Sequence, residues 1–563
     1  ELIIVKGGNM KSKTVHKLIM ALVIPVLCLA QIEKWVYVYD GSMNYEDIAH
    51  AIAYGLDGNI YAVGRTANPY RSSDFIVVSL YPTGDTNWMY VYDYNRLEDI
   101  AFCVAYGLDN NIYVGGMTST AETCTDFTIL SLTTDGGRNW VYRHDGAGTY
   151  DDYDIAHAIT YGSDGNIYAG GTSKNAHSSA PDLFVVSLTP AGDTNWTYLH
   201  GDAEFSAGRV EAIAYGADGN IYVAGYCYDV TNSREFFVFS LSPAGDTNWT
   251  YQYDGGLGAY DEARSLVYGL DGNIYAAGFS SNYALSTSFT VISLTSEGEE
   301  RWVYTYKGSD TANAANGIVY GSDNNLYVVG TCRWLDSADD MMVISLNTSG
   351  DTNWTYRLNG KDNDNDWGHA IAYGSDGNIY VAGAVNNALT EMDFTIVSLD
   401  PEGAENWVYS YDSPQLITRD EAYAIDFGMD DCIYAAGYTI SSSGLWDFTV
   451  IGVESVTGVE ETKTNLQPLV RLEVTPNPFT DLTQIRYTIH DPGYTIEKPA
   501  LSIFDVSGRR VISFYHESGI VNRESVVCWD GTDATGKRLP GGVYFARFGS
   551  DESFAIEKIL LIR

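Results

Sequence analysis

Between residues 33 and 455 short apolar runs alternate with turns rich in Gly, Asp, Asn and Pro, and this alternation itself repeats. The phrase Tyr-Gly-x-Asp-Gly-Asn-Ile-Tyr, with variants, begins at Tyr54, Tyr106, Tyr161, Tyr215, Tyr268, Tyr320, Tyr373 and, in degenerate form, Phe427, at intervals of 52, 55, 54, 53, 52, 53 and 54 residues. A second phrase, Asn-Trp-x-Tyr or a close variant, carries Trp35, Trp88, Trp140, Trp196, Trp249, Trp302, Trp354 and Trp407. Within one unit, period-two alternation and β-branched or aromatic content predict four strands, which in the third copy cover 155–161, 166–171, 183–188 and 195–199. Ser163-Asp164-Gly165 and 190–194 supply the hairpin turns between the first and last pairs. A repeat of four antiparallel strands is the blade of a β-propeller, and the eight copies predict eight blades.

The two ends of the repeat region fit one another. It opens on an orphan strand holding Trp35 and closes at 447–453 with no Trp strand after it, so the first strand is expected to supply the outer strand of the eighth blade. Such closure removes two exposed sheet edges. The Trp residues are expected to pack between neighbouring blades.

After residue 455 the pattern changes. Residues 456–470 are polar and read as a linker, and 471–563 form a second domain of strands separated by Gly/Asp turns, a small Ig-like β-sandwich. Upstream, Met10 is followed by Lys11, Lys13 and Lys17 and an apolar run ending at Ala30, so 10–30 reads as a signal peptide preceding a propeller domain at 31–455. The mature chain is therefore expected to be secreted or held on the outer cell surface.

Charge and cysteines narrow the function. Seventy-three acidic residues against 32 basic ones give a net charge of −41, which disfavours nucleic acid and anionic lipid as partners. Cys103, Cys124, Cys227, Cys332, Cys432 and Cys528 stand singly, with no zinc or redox spacing; Cys103 and Cys124 fall in one repeat and are candidates for pairing after export.

The repeats resemble the SBBP-type β-propeller repeat of bacterial surface proteins, through Asp-Gly-Asn-Ile-Tyr-Val-Ala-Gly at 218–225 and the Phe-Val-Phe-Ser-Leu run at 237–241. More loosely, Gly-Asp-Thr-Asn-Trp at 245–249 is similar to the tryptophan-docking repeats of quinoprotein dehydrogenases, but the adjacent Cys pair of many of those enzymes is missing. The last domain carries Pro476-Asn477-Pro478-Phe479, Gly508-Arg509-Arg510-Val511 and Gly542-Val543-Tyr544-Phe545 in that order. It resembles the C-terminal sorting domain of type IX secretion substrates and equally the Ig-like domain of flagellar hook-capping proteins. The first resemblance implies passage across the outer membrane, with the secretion machinery as a partner.

Within each blade the two hairpins are short and nearly invariant, whereas the other two connections vary and share one face, where a ligand is expected. The blade entries align as Asp47, Asp99, Asp154, Gly208, Asp261, Asn313, Asp366 and Asp420, a level at which a turn acceptor is the simpler reading. Three residues later the identity wanders through His50, Phe102, His157, Glu211, Arg264, Asn316, His369 and Tyr423. From this position His50, His157, Glu211, Arg264, His369 and Tyr423 are taken as candidate ligand contacts. Three Trp residues outside the repeat register, Trp334, Trp367 and Trp446, are read as lying on variable loops, where an indole face stacks on a sugar or a partner protein. The three histidines belong to distant blades and are not expected to share an ion. Asp362, Asp364 and Asp366 alternate as calcium ligands do, but Trp367 and Tyr373 stand where a calcium loop needs Gly and Glu, and a solvated acidic loop is the simpler reading.

No nucleophile elbow, Ser/His/Asp order or phosphate loop is present. The chain is accordingly read as a monomeric, non-catalytic binding protein for a glycan or a protein, needing no cofactor unless calcium. Two alternatives stand beside it. One is an extracellular polysaccharide hydrolase or lyase whose acid and base are entry carboxylates such as Asp154 and Asp261, and the other is a spacer or adhesin with no ligand.

Overall fold

The computed structural model describes residues 32–455 and 470–562, except 42–45, 71, 121–123, 147–152, 175–180, 201–206, 229–232, 257–259, 282–285, 309–311, 336–337, 362, 388–390, 414–417, 441–443, 476, 478, 481, 490–499, 506–509, 516–524, 534–535 and 550–553. The proposed signal segment and nearly all of the proposed linker lie outside the described residues. Among the described residues every regular element is a strand. The chain divides into two units, at 457/458.

In the first unit each repeat folds into a four-stranded antiparallel sheet in sequence order. The third copy pairs Ile155–Tyr161, Ile167–Ser173, Asp182–Leu188 and Thr194–His200. Its two middle strands are buried along their whole length, whereas the fourth alternates between exposed and half-buried positions. That contrast is the physical reason the middle strands read as continuous apolar runs: both of their faces meet another sheet. Sheets of the same build cover 48–92, 99–144, 208–253, 262–306, 313–358 and 367–411, the last with Thr418–Arg419 added parallel to its third strand. The last repeat contributes Glu421–Phe427, Cys432–Ile440 and Trp446–Glu454, and its fourth strand is Ile32–Tyr39 from the opposite end of the repeat region. That strand lies antiparallel to the third, with Trp35 opposite Gly452 and Tyr39 opposite Phe448.

Apolar clusters join each sheet to the next. One unites Tyr61, Val63 and Val77 with Ile112, Val114 and Leu130; another unites Cys432, Tyr434 and Phe448 with Ile60, Ala62 and Ile76, so the last sheet packs on the first. This circular succession of four-stranded antiparallel sheets is a β-propeller.

Both sequence phrases have a structural task. In the Asp-Gly-Asn hairpin, Gly165 adopts φ +87° and its N–H donates to the Gly162 carbonyl (2.9 Å). Asp164 accepts the backbone and side-chain N–H groups of Asn166 and the phenol O–H of Tyr168 (2.7 Å), and the same Asp–Tyr bond recurs from Asp57–Tyr61 to Asp430–Tyr434. In the second phrase the indole N–H reaches into the following sheet: Trp88 donates to the Thr134 carbonyl (2.7 Å) and Trp196 to that of Pro243 (2.9 Å). The ring covers the turn glycine of that hairpin, Gly136 or Gly245, so a Cβ there would collide with it. Seven of the eight repeat tryptophans, Trp35 through Trp354, are thus clasps between sheets.

The second unit has a three-stranded sheet (Val470–Thr475, Thr483–Ile489, Ser525–Trp529) and a four-stranded one (Arg510–Tyr515, Ala500–Asp505, Gly542–Gly549, Phe554–Leu561). Ile485, Tyr487 and Trp529 of the first share one core with Leu501, Ile503 and Phe548 of the second. Asn477 donates to the Lys558 carbonyl of the final strand, and Phe479 exchanges backbone bonds with Leu560 and Ile562.

Candidate functional site

The wandering position occupies the same place in every sheet. His50, Phe102, His157, Glu211, Arg264, Asn316, His369 and Tyr423 are each the extra residue of a β-bulge in the first strand, where pairing skips from Ala49 to Ala51, from Ala101 to Cys103, and so on around the ring. A bulge bends its strand and re-aims one side chain. Opposite it stands a glycine of the second strand, Gly64 in the first sheet, because a Cβ there would lie 1.9 Å from the Ile48 carbonyl oxygen. The same near-collision recurs at Gly116, Gly171, Gly225, Gly278, Gly330, Gly383 and Gly437. The Gly that ends each second-strand phrase is therefore the sequence mark of the bulge.

These side chains meet one another around the axis. His50 lies 5.4 Å from Phe102 and 6.3 Å from Tyr423, Phe102 lies 5.8 Å from His157, and His369 lies 5.3 Å from Tyr423, all between ring centroids. The opposite arc is ionic and amide in character. Arg209 pairs with Glu211, Arg264 donates to Glu262 (3.2 Å) and to the Asn316 side-chain oxygen (2.7 Å), and Asn316 donates to the Gly368 carbonyl (2.7 Å). Burial, with Arg65 nearby, lowers the His50 imidazole to about 4, and burial beside Arg209 lowers His157 to about 3, so both rings are neutral at physiological pH. His369 lies 3.5 Å from the buried carboxylate of Glu421, which also holds Arg419 and accepts the Tyr438 hydroxyl (2.9 Å).

Beside the ionic arc opens a cavity of about 310 Å³, lined among others by Arg264, Asn316, Trp367 and His369 together with Thr287, Thr331 and Asp339. It draws on three successive sheets. Three of the sequence candidates, Arg264, Trp367 and His369, come together there, and the others do not. Thr287, Thr331 and Asp339 escaped the sequence reading because they lie on three different strands and share no motif.

The entry carboxylates are structural. Asp47 is fully buried and accepts the N–H groups of Gly41 (2.7 Å) and Ala67 (2.8 Å); Asp154 takes those of Gly146 and Lys174, and Asp261 those of Gly255 and Ser281. Each ties an incoming loop to the end of the second strand. Desolvation raises the carboxyls of Asp47 and Asp420, and takes Asp99 to about 7 and Asp261 and Asp366 to about 6. Asp154 and Asp261, named above as a possible acid and base, have no open face from which to act.

Asp366 is buried on the N–H groups of Gly360 and Asn386, Asp364 is exposed and accepts the Asn365 N–H, and Asp362 lies outside the described residues. Carboxylates do converge elsewhere, in the trios Asp40/Asp47/Asp447, Asp74/Asp93/Asp99 and Glu235/Asp254/Asp261. No histidine belongs to any of them, and in the ring Phe102 or Tyr423 separates the histidines.

The three off-register tryptophans are not loop residues of one kind. Trp367 and Trp446 are the first residues of strands, and Trp334 directly follows one. All are half-buried with one face already covered: Trp334 by Arg357 (4.4 Å), Trp367 by Arg419 (4.7 Å) and Trp446 by Tyr438 (4.7 Å). Only Trp367 borders the cavity. Cys103 and Cys124 are both free thiols. Their partners on the shared second strand, Gly115 and Thr120, are five residues apart, roughly 16 Å along a strand, too far for a disulfide.

No family model and no curated protein matches the chain. Among solved structures it is similar to PorZ, an essential bacterial surface component of the type-IX secretion system of Porphyromonas gingivalis (9% identity, covering 94% of this chain and 100% of that one, TM-score 0.23). It is also similar to Drosophila Plexin A, in its complex with Semaphorin 1b (10% identity, 63% and 85% covered, TM-score 0.35). A third likeness is to the α-L-arabinanase of Penicillium chrysogenum complexed with arabinobiose (8% identity, 75% and 98% covered, TM-score 0.35). With every TM-score below 0.5, none of these likenesses bears on what this chain binds.

Proposed function

We propose that the chain is a secreted or cell-surface, non-catalytic binding protein whose eight-bladed propeller takes a glycan at the mouth of its channel. Residues 10–30 serve as its signal peptide, and its C-terminal Ig-like sandwich engages the outer-membrane export machinery. The single observation that carries the reading is the bulge: one residue per sheet is turned toward the axis, and its identity is free to differ while the scaffold around it stays constant. A glycan is preferred to a protein because the cavity is small and concave, and combines an indole with amide and hydroxyl groups. The hydrolase or lyase alternative has lost its acid and base to backbone hydrogen bonds.

The test is retention of the full chain on an immobilised panel of neutral and acidic glycans. A specific subset is expected to bind, and Trp367→Ala to lose it at unchanged melting temperature. Failure to retain any glycan, or full retention by the variant, overturns the reading.

A further inference from the structure

Resting on that reading, we infer that the glycan carries a carboxylate, and that Arg264 is the residue that selects for it. Arg209, Arg234 and Arg264 gather on one side of the channel mouth around two carboxylates. Glu262 receives Arg234 (2.5 Å) and Arg264 (3.2 Å), and Glu211 receives Arg209. Three guanidinium groups against two carboxylates leave one positive charge in excess, in a chain whose net charge is −41. Of the three, Arg264 is the one that lines the cavity.

Its hydrogen bonds indicate where an anion fits. The Nε–H goes to Glu262 and one Nη1–H to Asn316, and the Phe279 ring lies 4.8 Å from the guanidinium carbon, so the plane of the group is fixed. Nη2 has no partner among the described residues. A planar fork held on one edge with donors left over is suited to a carboxylate. The cavity's own acid does not compete for it: Asp339 is held by Arg333 through two bonds of 2.6 and 2.9 Å. The excess of a single positive charge matches a monoanion. A phosphate dianion leaves a negative charge unbalanced in an already acidic protein. Trp367, Thr287 and Thr331 line more of the cavity, which at about 310 Å³ sits at the lower end of small-molecule sites, roughly 300–1,000 Å³. An acidic saccharide of the uronic type has the carboxylate, ring face and hydroxyls this set addresses.

The experiment pairs each acidic glycan of the panel with its methyl ester and measures binding of the full chain by calorimetry. The free acid is expected to bind about tenfold or more tightly than the ester at low salt. That advantage should shrink as sodium chloride is added, a readout that needs only the wild-type chain. Arg264→Met is expected to remove the advantage, so that acid and ester bind alike. Equal binding of acid and ester, binding confined to neutral glycans, or a preference that survives Arg264→Met overturns the inference and leaves the proposed function standing. Absence of binding to every glycan overturns both.

Discussion

Trp35 stands opposite Gly452 across the pair formed by the first and last strands of the propeller, and a Cβ on Gly452 would come within 2.6 Å of the indole. The indole N–H continues into the first repeat, donating to the Pro82 carbonyl at 2.9 Å. One residue thus fastens the amino-terminal strand to the last sheet and the last sheet to the first. Covering both ends in this way packs the last sheet on the first, as the cluster of Tyr434, Phe448, Ile60 and Ile76 shows.

The same clasp elsewhere in the ring yields a stability prediction. Trp140 donates to the Pro190 carbonyl, and its ring lies 2.6 Å from where a Cβ on Gly192 would sit, a residue with φ +88°. Trp140→Phe removes one hydrogen bond and is expected to cost about 1 kcal/mol. Gly192→Ala adds left-handed strain to a collision and is expected to cost more, about 2–4 kcal/mol. Urea denaturation of the two variants checks the order; an alanine at 192 that is neutral contradicts it.

Burial of the entry carboxyls gives a pH signature. Asp99 is raised to about 7 in the fold, against roughly 4 in an unfolded chain, so the folded state holds this proton more tightly. Its contribution to stability is complete below about pH 4 and is lost as the pH rises through about 7. His50 and His157, lowered by burial, act with the opposite sign: their contribution is present above about 6.5 and is lost as the pH falls. A single-site comparison separates the two. Asp99→Asn is a mild replacement, because Asn313 already fills the equivalent place and accepts the Gly308 N–H. The stability of the native protein relative to Asp99→Asn should fall between pH 4 and 7 by at most about 1.4 kcal/mol per pH unit. A difference independent of pH contradicts the burial account.

Thiol reactivity follows from exposure. Cys528 is exposed, whereas Cys103, Cys227 and Cys332 are buried, and desolvation raises the Cys103 and Cys332 thiols to about 12. Alkylation of the native chain at pH 8 should label Cys528 first and reach the buried Cys103, Cys227, Cys332 and Cys432 only on unfolding, with no disulfide between Cys103 and Cys124. Peptide mapping by mass spectrometry before and after denaturation reads this directly.

Much of the fold was legible because its signals are local and repeated. The strand expected at 155–161 is Ile155–Tyr161, and the one expected at 183–188 is Asp182–Leu188; the others differ by a residue or two at their ends. The hairpin turns announce themselves through glycines that need positive φ, as at Gly165 and Gly192. The bulge was marked as well, by Gly64 and its equivalents, but a glycine inside a strand signals a close backbone approach without saying to which residue. The carboxylate clamps are legible as recurring Asp, yet their burial is not: Asp366 looks in sequence like part of a solvated acidic run and lies in the interior. The cavity was not legible at all. It depends on Thr287, Thr331 and Asp339 reaching one place from separate strands, and the stacking of three successive sheets brings them beside Arg264 and Trp367.

Ring closure by the first strand is the claim on which the channel mouth and everything placed there depend. A double-mutant cycle on Trp35 and Gly452, measured by chemical denaturation, tests it most directly. Gly452→Ala should be clearly destabilising while Trp35 is present and nearly neutral once Trp35 is replaced by Ala, giving a coupling of about 1–3 kcal/mol. Additive effects, with Gly452→Ala costing the same in both backgrounds, contradict the pairing of the two strands.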